Sequence, residues 1–209
     1  MEGYQRPHID PVVIRGEAGV EVPYGRRWEG LAPDDAYEVL THPERFAPLH
    51  PICDALVEYL GRHYDVTVDH EPPLDSLYVN PGNDVVRAAR LTPSGAEAAS
   101  LTFVYTGFPG IHLYAGAVAQ WPFPSCGCDA CDEVWEEAAD ELEDTVRAVV
   151  SGNFAECLRR KGTSWWMETC TSSSDGESWA SSHVSRKECA ELRRRMAGVP
   201  EKWRPWPRR

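Results

Sequence analysis

The sequence predicts an α+β domain built as an antiparallel β-meander with helices packed on one face. Three observations predict it. Apolar and polar residues alternate over 85–91, 101–106 and 111–117, which reads as three consecutive strands. Gly107-Phe108-Pro109-Gly110 joins the last two through a connection too short for a crossover, so those neighbours run antiparallel. Trp135, Ala138, Ala139, Leu142, Val146, Val149 and Val150 fall on one stripe at helical spacing, so a helix is available to cover a face of the sheet.

The chain has 209 residues, of which 42% are hydrophobic. That supports one core of ordinary size. A single domain is expected over 31–198, between an irregular N-terminal lead (1–30) and a basic Trp/Pro/Arg tail (199–209), which is expected to be mobile. The net charge of −12 argues against a nucleic-acid role, because neutralising phosphates needs a basic face. The charge is uneven. Asp132 to Asp144 holds eight acidic and no basic residues, and Arg186 to Arg209 holds nine basic and three acidic. Two solvated faces are the preferred reading, and a tail lying against the acidic helix is the sharper one. The N-terminus has no apolar signal region and no run reaches membrane-spanning length, so the protein is read as cytoplasmic, with its thiols reduced. An odd, clustered set of cysteines also disfavours a disulfide framework.

Taken in order, Val12–Ile14 and Val20–Val22 read as short strands or extended segments, with Trp28 as an anchor. Pro33-Asp34-Asp35 suits a helix start carrying Tyr37, Val39 and Leu40. Thr41-His42-Pro43-Glu44 reads as a capping box. A further helix from His50-Pro51 places Ile52, Leu56, Tyr59 and Leu60 on one face and ends near Gly61. Residues 65–68 alternate as a strand, and 71–83 form a loop by composition. After the three meander strands, Trp121-Pro122-Phe123-Pro124 is read as the end of the last, since proline does not serve a central ladder. The acidic helix is expected from about Asp132 to Ser151, with Gly152 at its C-terminal cap. Beyond it, 164–169 and 178–184 form a hairpin around an Asp175-Gly176 turn. Ser185-Arg186-Lys187-Glu188 is a capping box for a last helix that ends at Gly198 and Pro200.

The most specialised stretch is Cys126-Gly127-Cys128-Asp129-Ala130-Cys131-Asp132-Glu133, with three of the seven cysteines within six residues. Thiolates are good zinc ligands, and C-x-C-x-x-C spacing makes chelate closure cheap in entropy. Cys126, Cys128 and Cys131 are therefore the candidate metal ligands and zinc the candidate cofactor. Asp129, Cys157, Cys170, His183 and Cys189 are candidates for a fourth position. A purely structural corner stands beside this reading: Asp129 or Asp132 caps the acidic helix, Gly127 takes a left-handed turn, and the small cysteines fill space. Redox work is the third, because a thiol at a helix N-terminus has a lowered pKa.

Thr41-His42-Pro43-Glu44-Arg45-Phe46, Phe108-Pro109-Gly110 and the cysteine stretch, in that order, resemble a family of uncharacterised actinobacterial proteins, a domain of unknown function. The likeness covers most of 35–185. It implies a bacterial intracellular protein and assigns no activity and no catalytic residues. The sequence has no phosphate-binding glycine loop, no dinucleotide fingerprint, no G-x-S-x-G and no H-E-x-x-H. No catalytic or cofactor-binding residue is identified. The expected function is a non-enzymatic binding or interaction domain for a protein or small-molecule partner, with a zinc-bound or structural cysteine corner. A thiol-dependent redox protein or enzyme is the alternative.

Overall fold

In the computed structural model, which describes residues 1–16, 19–173 and 176–209, the chain forms three α-helices and two antiparallel sheets. The larger sheet is a five-stranded meander in sequential order: β1 (Val66–Asp69), β2 (Val85–Pro93), β3 (Leu101–Thr106), β4 (Ile111–Ala115) and β5 (Ala119–Phe123). The smaller sheet has β6 (Phe154–Lys161), β7 (Ser164–Ser173) and β8 (Gly176–Val184), also in sequential order. Helices α1 (Leu49–His63) and α2 (Trp135–Val150) pack on one face of the meander, and α3 (Arg186–Arg195) lies with the smaller sheet. The predicted α+β meander is therefore the observed fold.

The core follows from the alternation. Ala89, Leu91, Leu101, Phe103, Tyr105, Ile111 and Leu113 point to the helical face and meet Ile52, Leu56 and Leu60 of α1 and Ala138, Leu142, Val146 and Val149 of α2. Burying one such leucine contributes about 1.5–3 kcal/mol. The opposite face is covered too, by Leu74, Leu77 and Val85 over Ala88, Val104 and Tyr114, which explains why β3 is buried along its whole length. The loop over 71–83 thus acts as a lid on the sheet.

Several elements differ from the sequence reading. Asp34–Ala36 is a single 3-10 turn rather than a helix, and Tyr37, Val39 and Leu40 are exposed. The chain leaves the turn extended at Tyr37, and the Ala36 and Val39 carbonyls accept from the N–H groups of Ala130 and Asp129. Tertiary hydrogen bonds have replaced helical ones. Pro43–Phe46 is likewise a 3-10 turn with no side-chain cap, because Thr41 turns its hydroxyl to Asp129 instead. Two strands were hidden. β5 pairs with β4 despite Pro122, which the ladder tolerates because β5 is an edge strand. β6 has no clean alternation but pairs along its full length with β7.

Between β4 and β5 the chain turns through Gly116 at φ 59°, where a Cβ would clash with Glu156 Oε1. The buried Glu156 carboxylate accepts the N–H groups of Ala117 (2.6 Å) and Val118 (3.1 Å) and the Trp203 indole N–H (3.1 Å).

The acidic helix begins three residues later than expected, but Ala138, Leu142, Val146 and Val149 are fully buried, with Trp135 partly so. Gly152 follows with φ 73°. Its basic partner is in the N-terminal lead: Arg6 bonds Glu143 at 2.9 Å and also pairs with Asp140. The Ser185–Glu188 capping box is present, though α3 stops at Arg195, before Gly198. Asp175 of the expected turn lies outside the described residues. The C-terminal tail is fixed rather than loose. Trp206 is buried, its indole N–H donates to Ala99 O at 2.7 Å, and Asp65 N–H donates to Pro207 O at 2.9 Å.

Candidate metal centre

The loop between β5 and α2 carries the three cysteines, and the fold holds it from three directions. From within, the Glu133 carboxylate accepts from Ser125 N (2.9 Å), Ser125 Oγ (3.1 Å) and Cys126 N (2.9 Å), closing the loop on itself. From the segment before α1, the buried Arg45 guanidinium donates to Thr41 O (2.6 Å), His42 O (3.2 Å), Gly127 O (2.9 Å) and Glu133 O (3.3 Å). It also stacks on the Tyr24 and Phe46 rings, at 4.2 and 4.4 Å. Four carbonyls on two chain segments are thereby tied to one planar fork, which is work for arginine rather than lysine.

From the N-terminal lead, Trp28 donates its indole N–H to Asp129 O at 3.2 Å, and Arg27 N–H donates to Asp132 Oδ2 at 2.8 Å. Asp129 itself is buried. It accepts from Thr41 N (3.0 Å) and Thr41 Oγ (2.6 Å), with the Arg27 guanidinium 3.4 Å away. Burial pushes the Asp129 carboxyl up, but the Thr41 hydroxyl, the Thr41 N–H and Arg27 outweigh it and hold it below the usual carboxylate range.

Neither Asp129 nor Asp132 caps α2. The residue before the helix is Val134 and no side chain caps it. Gly127 is not the left-handed residue either; Asp132 is, at φ 53°. Gly127 matters for a different reason: a Cβ there would lie 2.7 Å from the Phe108 ring and 3.2 Å from Leu40. The Phe-Pro-Gly turn between β3 and β4 therefore sits directly on the cysteine loop, and Phe108 stands 5.7 Å from Phe46. Among the described residues, the non-glycine positions with positive φ are Glu38 (64°), His42 (52°) and Asp132 (53°). All three belong to this corner. Each left-handed residue costs roughly 1–2 kcal/mol, so the surrounding contacts over-determine a strained geometry.

On this frame the sulfur atoms of Cys126, Cys128 and Cys131 lie within 4.8 Å of one another, with Cys126 Sγ 3.3 Å from Cys128 Sγ. The first two are half-buried and Cys131 is exposed. The three sulfurs could hold a metal ion between them. No fourth His, Cys, Asp or Glu among the described residues joins the set. Asp129 is occupied by Thr41 and Arg27. Cys157 and Cys170 lie on β6 and β7, and Cys189 is on α3. His183 on β8 stacks edge-on with Trp166 at 5.5 Å. The backbone N–H of Cys131 lowers the Cys128 thiol pKa, whereas the neighbouring Cys126 and Cys128 thiols push Cys131 up to about 12.

Sequence reasoning found the cysteines but missed Arg27, Arg45 and the Asp129–Thr41 pair that set them. The available signal was the Thr41–Phe46 stretch itself, where the local capping-box reading competes with a tertiary role for Thr41 and Arg45 beside a His-Pro break.

Fold and loop together define a class: an α+β meander domain with a thiol-rich corner at the junction of sheet and helix. The chain belongs to DUF6226, a family of unknown function, whose model matches residues 10–209. No curated protein and no solved structure matches it. No helix among the described residues is long and apolar enough to cross a membrane.

Proposed function

We propose that the protein is a non-enzymatic binding or interaction domain whose cysteine corner holds one zinc ion through Cys126, Cys128 and Cys131. The observation that carries this is the convergence of three sulfurs within 4.8 Å on a loop braced from three sides. Tetrahedral zinc at about 2.3 Å from each thiolate places the sulfurs about 3.8 Å apart, a spread of a few tenths of an ångström from the present Cys126–Cys128 spacing. A fourth donor would be water or a group from a partner, and exposed Cys131 leaves the cluster open to one. Asp129, Glu133 and Arg45 direct their polar atoms to backbone or hydroxyl groups of the corner itself, which supports an architectural rather than a catalytic role. A cytoplasmic location, where thiols stay reduced, fits the same reading.

The test is elemental analysis of reduced protein purified without a histidine tag. The expected result is close to one zinc per chain, a melting temperature lowered by a strong chelator and restored by zinc, and loss of metal in Cys128→Ser. Cys53→Ser, in the buried face of α1, should keep it. A metal content near zero, with stability indifferent to chelator, overturns the zinc site and leaves a packed-cysteine corner.

A second reading is supported by the lowered pKa of the half-buried Cys128 thiol. In a thiol-dependent redox protein, its thiolate would attack a peroxide to give a sulfenic acid, and an adjacent thiol would then displace water to form a disulfide. Mass spectrometry after mild peroxide would show selective, reversible oxidation at these cysteines; inert thiols exclude it.

A further inference from the structure

On the meander face opposite α1 and α2, the register places Arg90, Thr102 and Tyr114 side by side across β2, β3 and β4. They line a cavity of about 410 Å³ closed by the loop at Ser76–Tyr78, the β4–β5 turn and Arg195 of α3. That volume is in the range of small-molecule sites. Its charge is unusual for this chain. The sequence carries 33 acidic against 21 basic residues, yet among the described residues the ionisable groups lining the cavity besides tyrosine are two arginines, with no carboxylate.

Both arginines are positioned. Arg90 donates from Nε to Thr102 Oγ at 3.0 Å and from Nη2 to Ser76 Oγ and Pro73 O, each at 3.2 Å. It has no carboxylate partner among the described residues. Arg195 donates from Nη1 to Ser76 O at 2.7 Å and from Nε to Glu191 at 2.7 Å, so half of its fork is neutralised from outside the cavity. Tyr114 in the cavity wall is 5% exposed, and its hydroxyl is buried without a hydrogen-bond partner. An orphaned buried hydroxyl is destabilising unless something supplies its partner. The β4–β5 turn that forms one wall is held from behind by Glu156, whose oxygens accept the turn N–H groups.

We infer that this cavity binds a small organic anion, a carboxylate or phosphate group, with Arg90 and Arg195 supplying charge-assisted hydrogen bonds and Tyr114 a further polar contact. Guanidinium groups suit both oxyanions through paired N–H donors. The site is separate from the cysteine corner and does not depend on its metal.

Isothermal titration with inorganic phosphate and with citrate tests it. One of the two should bind saturably at about 1 mM or below, and which one does separates a phosphorylated ligand from a carboxylate. Arg90→Met and Arg195→Met should each weaken that binding about tenfold or more, whereas Arg87→Met, outside the cavity and paired with Asp54, should not. Tyr114→Phe guards against a folding artefact: it should weaken binding while leaving the melting temperature of the free protein unchanged or raised. No saturable binding of either probe, or affinity unchanged in Arg195→Met and Tyr114→Phe, overturns the inference. Chelator treatment should leave anion binding intact, so this result and the zinc result fail separately.

Discussion

The two sheets bury their residues in different ways. The meander is covered on both sides, by α1 and α2 on one face and the 71–83 loop on the other, and β3 is buried at all six positions. In the smaller sheet, β8 is exposed at every position but Val184, and the shared apolar cluster with α3 reduces to Val118, Met167, Val184 and Leu192 with partly buried neighbours. The smaller sheet is anchored rather than self-supporting. Phe154 at the start of β6 enters the main core and meets Trp121 edge-on at 5.8 Å, and α2 lies against both sheets. Regions with few buried apolar contacts open locally at lower free energy than the core they hang from.

The largest effect should come from the tail that closes the main core. Trp206→Ala should cost about 3–5 kcal/mol in chemical denaturation, because it empties a buried site and orphans the Ala99 carbonyl. A change below 1 kcal/mol would mean that the tail is not part of the core (about the level of an ordinary surface substitution). Next, Leu142→Ala should cost about 2–5 kcal/mol, whereas Glu137→Ala on the exposed side of α2 should be nearly silent. Equal effects would place the wrong face of the helix on the meander.

Leu192→Ala should cost less, about 2 kcal/mol, and its effect should be local. Amide exchange should accelerate in β6–β8 and α3 and hold steady in β2–β4. Uniform acceleration across both sheets would erase the distinction between them.

The smallest effect joins the two regions through Glu156. Burial pushes its carboxyl above the ordinary carboxylate range, against the pull of the Ala117 and Val118 N–H groups and the Trp203 indole. A raised folded-state pKa contributes stability that is present below the unfolded value of about 4.3 and lost as pH rises through the folded value. Glu156→Gln, which cannot ionise, should therefore flatten the stability–pH curve just above the carboxylate range. Parallel curves for the two proteins would contradict this.

What the sequence determined by itself is the part written in periodicity and local spacing. Alternation over 85–115 and the stripe from Ala138 to Val150 identify the meander and the helix on it, since each pattern buries a continuous face in only one type of element. The C-x-C-x-x-C spacing identifies three sulfurs that the chain must keep close, whatever surrounds them. The tertiary structure decided everything that depends on distant partners. Thr41 reads locally as a helix cap, yet a buried carboxylate at Asp129 gives its N–H and hydroxyl a better pair of acceptors. β6 lacks a full alternating pattern because its last three residues, Arg159 to Lys161, are exposed, and pairing with β7 carries it on as a strand. Trp206 stands in a proline- and arginine-rich tail, and its burial follows from docking on the Ala99 and Val150 carbonyls. Arg90, Thr102 and Tyr114 are spread over 25 residues and become neighbours only because three strands pair in one register. Local pattern encodes which face of an element is apolar; which polar groups meet across the fold is set by strand register and loop packing, and neither is periodic in the sequence.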